Sequence, residues 1–299
     1  MNVYITGANG FLGKYIFEVL FNFSNIYTIG RNNSNINVDI RYQKFLIKDQ
    51  VDLFVHIAGK AHSIPISESD KLEFYKVNVE GTKNVIDSLK NNPPKKFVFI
   101  SSVSVYGIQS GTDITEDQTL LANDAYGLSK IQAEQLVIEW CKKNNVICTI
   151  LRLPLLAGAN PPGNLGAMIK GIKKGYYFNI SGGKSQKSMV LVSDVAQCLL
   201  KVSEVGGIYN LTDGYHPSFS ELSRNISLQL GKKFVPNIPL VFAKILASIG
   251  DLIGDRFPIN SSKLAKIISP LTFDDSKARE AFGWDPTPVL EGFKISDKI

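Results

Sequence analysis

The stretch ITGANGFLG spans residues 5–13, and its glycines stand at every third position: Gly7, Gly10 and Gly13. The apolar run NVYIT leads into it, and a helical pattern begins at Phe11. Glycines at a strand-to-helix turn let the backbone bend tightly and approach a pyrophosphate, which then rests on the helix N-terminus. The spacing is GxxGxxG rather than GxGxxG, so position carries the reading. The triplet directly follows a first strand and opens a first helix.

The pattern continues outward from this loop. IYTIG, VDLFVHIAG, KFVFISS and VICTILRL are short apolar runs, separated by helix-like stretches at 11–23, 69–91 and 125–144. Strands alternating with helices predict an α/β fold, a doubly wound parallel sheet with helices on both faces. Near-continuous apolar strands fit a sheet buried on both sides. After Pro154 the turn-rich GANPPGN breaks the pattern, and from His216 the chain is mostly helical, punctuated by Pro217, Pro236, Pro239, Pro258 and Pro270. The division expected is a dinucleotide-binding domain over 1–157, with 188–214 returning to it. A smaller, mostly helical substrate-binding region would comprise 158–187 and 215–299.

Composition bounds the class. The 299 residues are 44% hydrophobic and 20% charged, ordinary for a globular chain. No apolar run reaches the roughly 18 residues needed to span a bilayer. The nearest, IPLVFAKILASIGDLIG at 238–254, is interrupted by Lys244 and Asp251 and reads as a packed amphipathic helix rather than a membrane-surface one. The first strand begins at the N-terminus and leaves no room for a signal peptide. Cys141, Cys148 and Cys198 form no CxxC pair, which suits a reduced, cytoplasmic protein. The net charge of +6 is scattered, without basic clusters interleaved with aromatics; it fits an anionic small substrate and argues against nucleic acid. His56 ends a buried strand and reads as a core histidine. His62 and His216 are not spaced for a metal, and no GxSxG elbow is present.

Two stretches carry chemistry. At the end of strand 2, where an acid would bind the ribose of NAD, TIGRNNS has Gly30 followed by Arg31. An arginine there pairs with a 2′-phosphate, so NADP(H) is expected, with NAD as the alternative. YGLSK sets Tyr126 and Lys130 on one helical face. A phenol with a pKa near 10 is a weak acid–base catalyst at neutral pH, and a lysine cation beside it favours the phenolate. Such a tyrosine exchanges a proton with a carbonyl or alcohol while hydride moves to or from a nicotinamide.

TGxxGxxG, HIAG at 56–59, NVEGTKN at 78–84, SSVSVYG at 101–107 and YxxxK occur in that order, and FDDSKAREAFGWDPTPVLEGF closes the chain. Together they resemble the extended short-chain dehydrogenase/reductase family of nucleotide-sugar epimerases, dehydratases and reductases, with its Rossmann domain. The resemblance implies Ser102, Tyr126 and Lys130 as catalytic residues. It implies that Gly7, Asn9, Gly10, Phe11, Leu12, Gly13, Arg31, Asp39, Ile40, Ala58, Gly59, Lys60, Asn78, Ser101, Tyr126, Lys130 and Pro154 hold the dinucleotide. Ser104, Asn164, Leu165 and Lys187 would face a sugar diphosphate, UDP-linked by the family pattern. In the 4,6-dehydratases an Asp-Glu pair follows the hydroxyl residue; here Val103 and Ser104 stand there, which leaves 4-keto reductase or 4-epimerase. Gly30–Arg31 tilts the choice to a reductase, and RLPLLAGANPPGN and KSMVLVSDVA resemble 4-reductases of the UDP-N-acetylquinovosamine type from surface polysaccharide pathways. A non-catalytic NADP-binding scaffold is a further alternative, opposed by the retained tyrosine and lysine. Relatives commonly dimerise through the helices at 69–91 and 125–144, where Leu128, Ile131 and Ile138 would either serve or face the chain's own sheet.

Overall fold

The structure, a computed structural model, describes residues 1–61, 65, 67–254 and 259–296. His62 and Pro258, singled out in the sequence, lie outside the described residues. Seven parallel strands form the central sheet in the order β11-β7-β5-β4-β1-β2-β3. They are β1 (Asn2–Thr6), β2 (Asn25–Gly30), β3 (Ile36–Asn37), β4 (Leu53–His56), β5 (Lys96–Ser102), β7 (Ile147–Leu153) and β11 (Gly207–Asn210). The order reverses between β1 and β4, and ligands of doubly wound sheets bind at such a point, outside the carboxyl ends of the strands.

Alternation along the strands builds two cores. Val3 and Ile5 of β1, Leu53 and Val55 of β4, and Val98 and Ile100 of β5 face α1 (Phe11–Phe21) and α6 (Val192–Val205). Tyr4, Phe54, Phe97 and Phe99 point the other way, onto α3 (Gly81–Ser88) and α4 (Ala125–Lys143). Both faces are therefore dry, and each fully buried Leu or Phe contributes roughly 1.5–3 kcal/mol.

The helix expected over 69–91 runs continuously from Glu68 to Ser88 but changes its winding midway. α2 (Glu68–Tyr75) and α3 are joined by a π-helical turn, Lys76–Glu80. One extra residue in a helical turn redirects side chains, and such bulges cluster at functional positions; this one carries Asn78. A capping box between Ser67 and Asp70 starts α2. Asp124 caps α4, its carboxylate accepting from the backbone N–H groups of Tyr126 and Gly127, both at 3.0 Å. Of the three apolar residues expected either at a dimer contact or on the chain's own sheet, Ile138 packs toward the sheet and Ile131 against Tyr106 and Phe273, while Leu128 is 43% exposed.

β10 (Met189–Leu191) pairs with β8 (Leu155–Ala157) outside the main sheet, whereas α6 and β11 return to it. The rest of the second half packs α5 (Gly163–Lys174), α7 (Phe219–Gln229) and α11 (Val289–Gly292) around Leu165, Met168, Leu222, Ile226 and Phe293. α8 (Leu240–Ile253) and α9 (Ser261–Ile268) form a smaller unit, tied on by β12 (Asn237–Ile238), which pairs with β9 (Asn179–Ile180). No helix among the described residues is long and apolar enough to cross a membrane.

Candidate active site

The glycine loop is shaped to admit a ligand at the start of α1. Gly7 has φ +76°, and a methyl group there would stand 2.7 Å from the backbone nitrogen of Ala58. On Gly13 it would stand 2.1 Å from the Gly7 carbonyl oxygen, so helix and loop close up only without side chains. Gly10 caps α1 and offers no side-chain partner to the first N–H groups, which stay available for an anion. Asn9 ties the loop to the segment after β2 by donating to the Asn32 carbonyl at 3.0 Å. Phe11 and Leu12 form the first turn, Leu12 buried in the core.

Beyond β2, Arg31 is exposed. Asp39, the acid whose field reaches Arg31, is held by Arg41, whose Nη2 stands 2.6 Å from its carboxylate. That hydrogen bond keeps the Asp39 carboxyl below the usual range. Ile40 is buried, and its carbonyl accepts from Asn84 at 2.8 Å. A cleft of about 390 Å³ lies beside the loop, lined by Ala8, Asn9, Lys14 and Asn33–Asn35 among others. Lys14, one turn into α1, brings a cation there that the motif reading missed.

Asn78, swung inward by the π turn, clamps the segment after β4. Its Oδ1 accepts from the Lys60 N–H at 2.7 Å, and its Nδ2 donates to the Lys60 carbonyl at 3.1 Å and to Ser129 Oγ at 2.8 Å. Gly59 lies closely against the same amide and the Lys130 ammonium: a Cβ would stand 3.1 Å from Asn78 Oδ1 and 3.3 Å from Lys130 Nζ, so either side chain would have to give slightly. Below them runs a directed chain of hydrogen bonds. Thr82 Oγ1 donates to the Asn78 carbonyl at 2.6 Å, so it accepts from His56 Nε2 at 2.9 Å. His56 Nδ1 then accepts from Thr6 Oγ1 at 2.6 Å, and Thr6 Oγ1 accepts from the Ala58 N–H at 3.2 Å. Burial, helped by the Lys130 charge, pulls His56 down to about 3, so it is neutral and structural.

Ser102, Tyr126 and Lys130 meet at the carboxyl end of β5. Ser102 ends the strand and caps the 3₁₀ turn Val103–Tyr106. Its Oγ accepts from the Ser104 N–H at 3.2 Å and lies 3.1 Å from the Ser104 hydroxyl. It also hydrogen-bonds the Tyr126 phenol. Burial raises that phenol above its ordinary value, Ser102 pulling it down and Asp124 pushing it up. In the chain alone burial dominates, and the expected depression of the phenol is not seen. Lys130 itself is pulled down to about 8 by burial, opposed by the Glu134 carboxylate. Its Nζ donates to the Ile100 carbonyl at 2.8 Å and lies 4.7 Å over the Phe99 ring.

Ser101 points away from the cleft and donates to Glu134. Glu134 in turn pairs with buried Arg152 at 2.8 Å. The sequence signal for Glu134 was its place one helical turn beyond Lys130. Pro154 links β7 to β8.

On the substrate side the residues separate. Asn164 is exposed on the first turn of α5, whereas Leu165 is 1% exposed, its side chain committed to the core. Lys187 is half-buried and pulled down to about 8 by burial; its Nζ donates to the Ser269 carbonyl at 2.8 Å. Among the described residues, no group of three His, Cys, Asp or Glu is placed to hold a metal.

A glycine loop on an uncapped helix and a hydroxyl–tyrosine–lysine set at one end of a parallel sheet define a dinucleotide-dependent enzyme. Residues 3–212 match the model of the NAD dependent epimerase/dehydratase family, and the chain belongs to that family. It is 26% identical to the N-acetyl-alpha-D-glucosaminyl-diphospho-ditrans,octacis-undecaprenol 4-epimerase of Escherichia coli O157:H7, over 97% of this chain and 92% of that one. The fold superposes on the UDP-glucose 4-epimerase of Thermotoga maritima, solved with UDP-glucose, with a TM-score of 0.76 at 20% identity, covering 98% of this chain and 96% of that one. It superposes on RMD of Pseudomonas aeruginosa, solved with NADPH, with a TM-score of 0.72 at 18% identity, covering 97% and 95%.

Proposed function

We propose that this enzyme reduces the C4 carbonyl of a diphosphate-linked 4-keto-6-deoxy hexose, UDP-linked and N-acetylated, with NADP(H) as cofactor, in surface polysaccharide synthesis. The observation that carries the reading is Gly30–Arg31 at the end of β2, with Asp39 already committed to Arg41. A bound nicotinamide would supply hydride to C4. Ser102 Oγ holds O4, and Tyr126 gives that oxygen its proton, so the carbonyl gains one hydride and one proton and becomes an alcohol. The cation of Lys130, beside Gly59, supports the dinucleotide ribose. Val103 and Ser104, in place of an acidic pair, supply no group to remove water across C5 and C6. Lys187 supports the diphosphate, as a point charge rather than a fork.

A second reading is 4-epimerisation with retained NAD, supported by the activities for which the relatives are named. The test is to incubate the protein with NADPH and a UDP-4-keto-6-deoxy-N-acetylhexosamine, and separately with UDP-N-acetylglucosamine without added cofactor. Stoichiometric loss of absorbance at 340 nm in the first supports the reductase. Formation of the 4-epimer in the second supports the epimerase.

A further inference from the structure

α8 is built inside out for a helix of a water-soluble fold. Its inward positions are small: Ala243, Ala247 and Gly250 are buried, the alanines against Leu264 of α9 and Ile180. Its large apolar side chains point to solvent. Val241, Phe242, Ile245, Ile249, Leu252 and Ile253 recur every three or four residues around the outer face, Phe242 61% and Leu252 89% exposed. Amphipathic surface helices normally show the reverse pattern. Contiguous exposed apolar patches mark interaction sites.

The charge of the segment that carries the patch selects its occupant. Among the described residues from 231 to 269, Lys232, Lys233, Lys244, Lys263 and Lys266 face a single acid, Asp251. Asp251 is turned to α9, accepting from the Ser261 N–H at 3.0 Å and from the Ser261 hydroxyl. A two-fold contact with a second copy would oppose lysines to lysines, because such an interface uses the same patch twice. Apolar side chains on a lysine-rich segment instead match the boundary between acyl chains and anionic headgroups. The patch is also joined to the candidate site: the carbonyl of Ser269, which ends α9, accepts from Lys187 Nζ at 2.8 Å and from Ser185 Oγ.

We infer that the outer face of α8 docks this enzyme on an anionic membrane surface. The inference is independent of the reaction class; it concerns where the active site works. A 14-residue helix, about 21 Å long, lies in the interface plane without crossing it.

Flotation with phosphatidylcholine vesicles, with and without 30 mole per cent phosphatidylglycerol, tests the inference; that fraction is on the order of anionic content that attracts basic segments. The full chain is expected to float with the anionic vesicles, more weakly at high salt. Phe242→Ser with Leu252→Ser should lower partitioning at least about tenfold, since each loses a buried apolar side chain. Lys232→Glu with Lys244→Glu should remove the preference for anionic vesicles. Sedimentation and dinucleotide binding of all variants should match the parent chain, which separates loss of docking from loss of fold. Failure of the parent chain to bind anionic vesicles, or equal binding by the apolar variant, would overturn the inference. So would a lower oligomeric state in that variant, which would assign the face to a second copy.

Discussion

The ammonium of Lys130 is 2.8 Å from the carbonyl oxygen of Ile100, two residues before Ser102. The cation thus braces the end of the strand that presents the Ser102 hydroxyl. Replacing Lys130 by Ala should lower both kcat and dinucleotide affinity. Replacing Tyr126 by Phe removes the proton and leaves the cleft intact, so kcat should fall about 10²–10⁴-fold with cofactor binding within a few-fold. Steady-state kinetics beside calorimetric titration check both; a Tyr126→Phe enzyme of near-normal kcat would dismiss the assignment.

Arg31→Ala should weaken NADP(H) by about 1.5–3 kcal/mol, the worth of a hydrogen bond to a charged group, and leave NAD(H) nearly unchanged. Calorimetry with the two dinucleotides reads the difference. Equal losses would place Arg31 away from the 2′-phosphate, with Lys14 the next cation to replace.

The pH profile should show an alkaline limb near 8. Lys130 and Lys187 are both depressed to about 8, so each loses its charge as pH rises through that value. Lys187→Met should remove its part of the limb from KM and leave kcat falling, because Lys187 is assigned to binding alone.

Acid stability follows from His56, whose folded-state value is depressed to about 3 against roughly 6.5 unfolded. The unfolded chain takes up the proton first, so stability present above pH 6.5 is lost as pH falls from there to about 3. At 1.36 kcal/mol per decade this amounts to roughly 4–5 kcal/mol. Urea titrations between pH 7 and pH 4 should show the decline, and His56→Gln should flatten it.

The sheet and the glycine loop were legible because apolar alternation and a glycine triplet are local signals. The pairing of Tyr126 with Lys130 was legible for the same reason, since YGLSK puts both side chains on one face of α4. What escaped was non-local. The π turn at Lys76–Glu80 accompanies Asn78 bonding Lys60 and Ser129, contacts between distant segments. The phenol of Tyr126 is likewise raised rather than depressed, because burial is the largest influence on it. The stretch at 238–254 does form a helix, but one packed by its small residues, a choice set by α9 and β9 rather than by its own periodicity.

The central claim is that this enzyme delivers hydride irreversibly to C4 rather than borrowing and returning it. NADPH carrying deuterium at C4 of the nicotinamide, incubated with a UDP-4-keto-6-deoxy-N-acetylhexosamine, tests it most directly by mass and NMR analysis of the sugar. The account predicts one deuterium at C4 of the sugar for each NADPH consumed from the labelled face. Unlabelled sugar, or interconversion of 4-epimers with NADPH unspent, would contradict it.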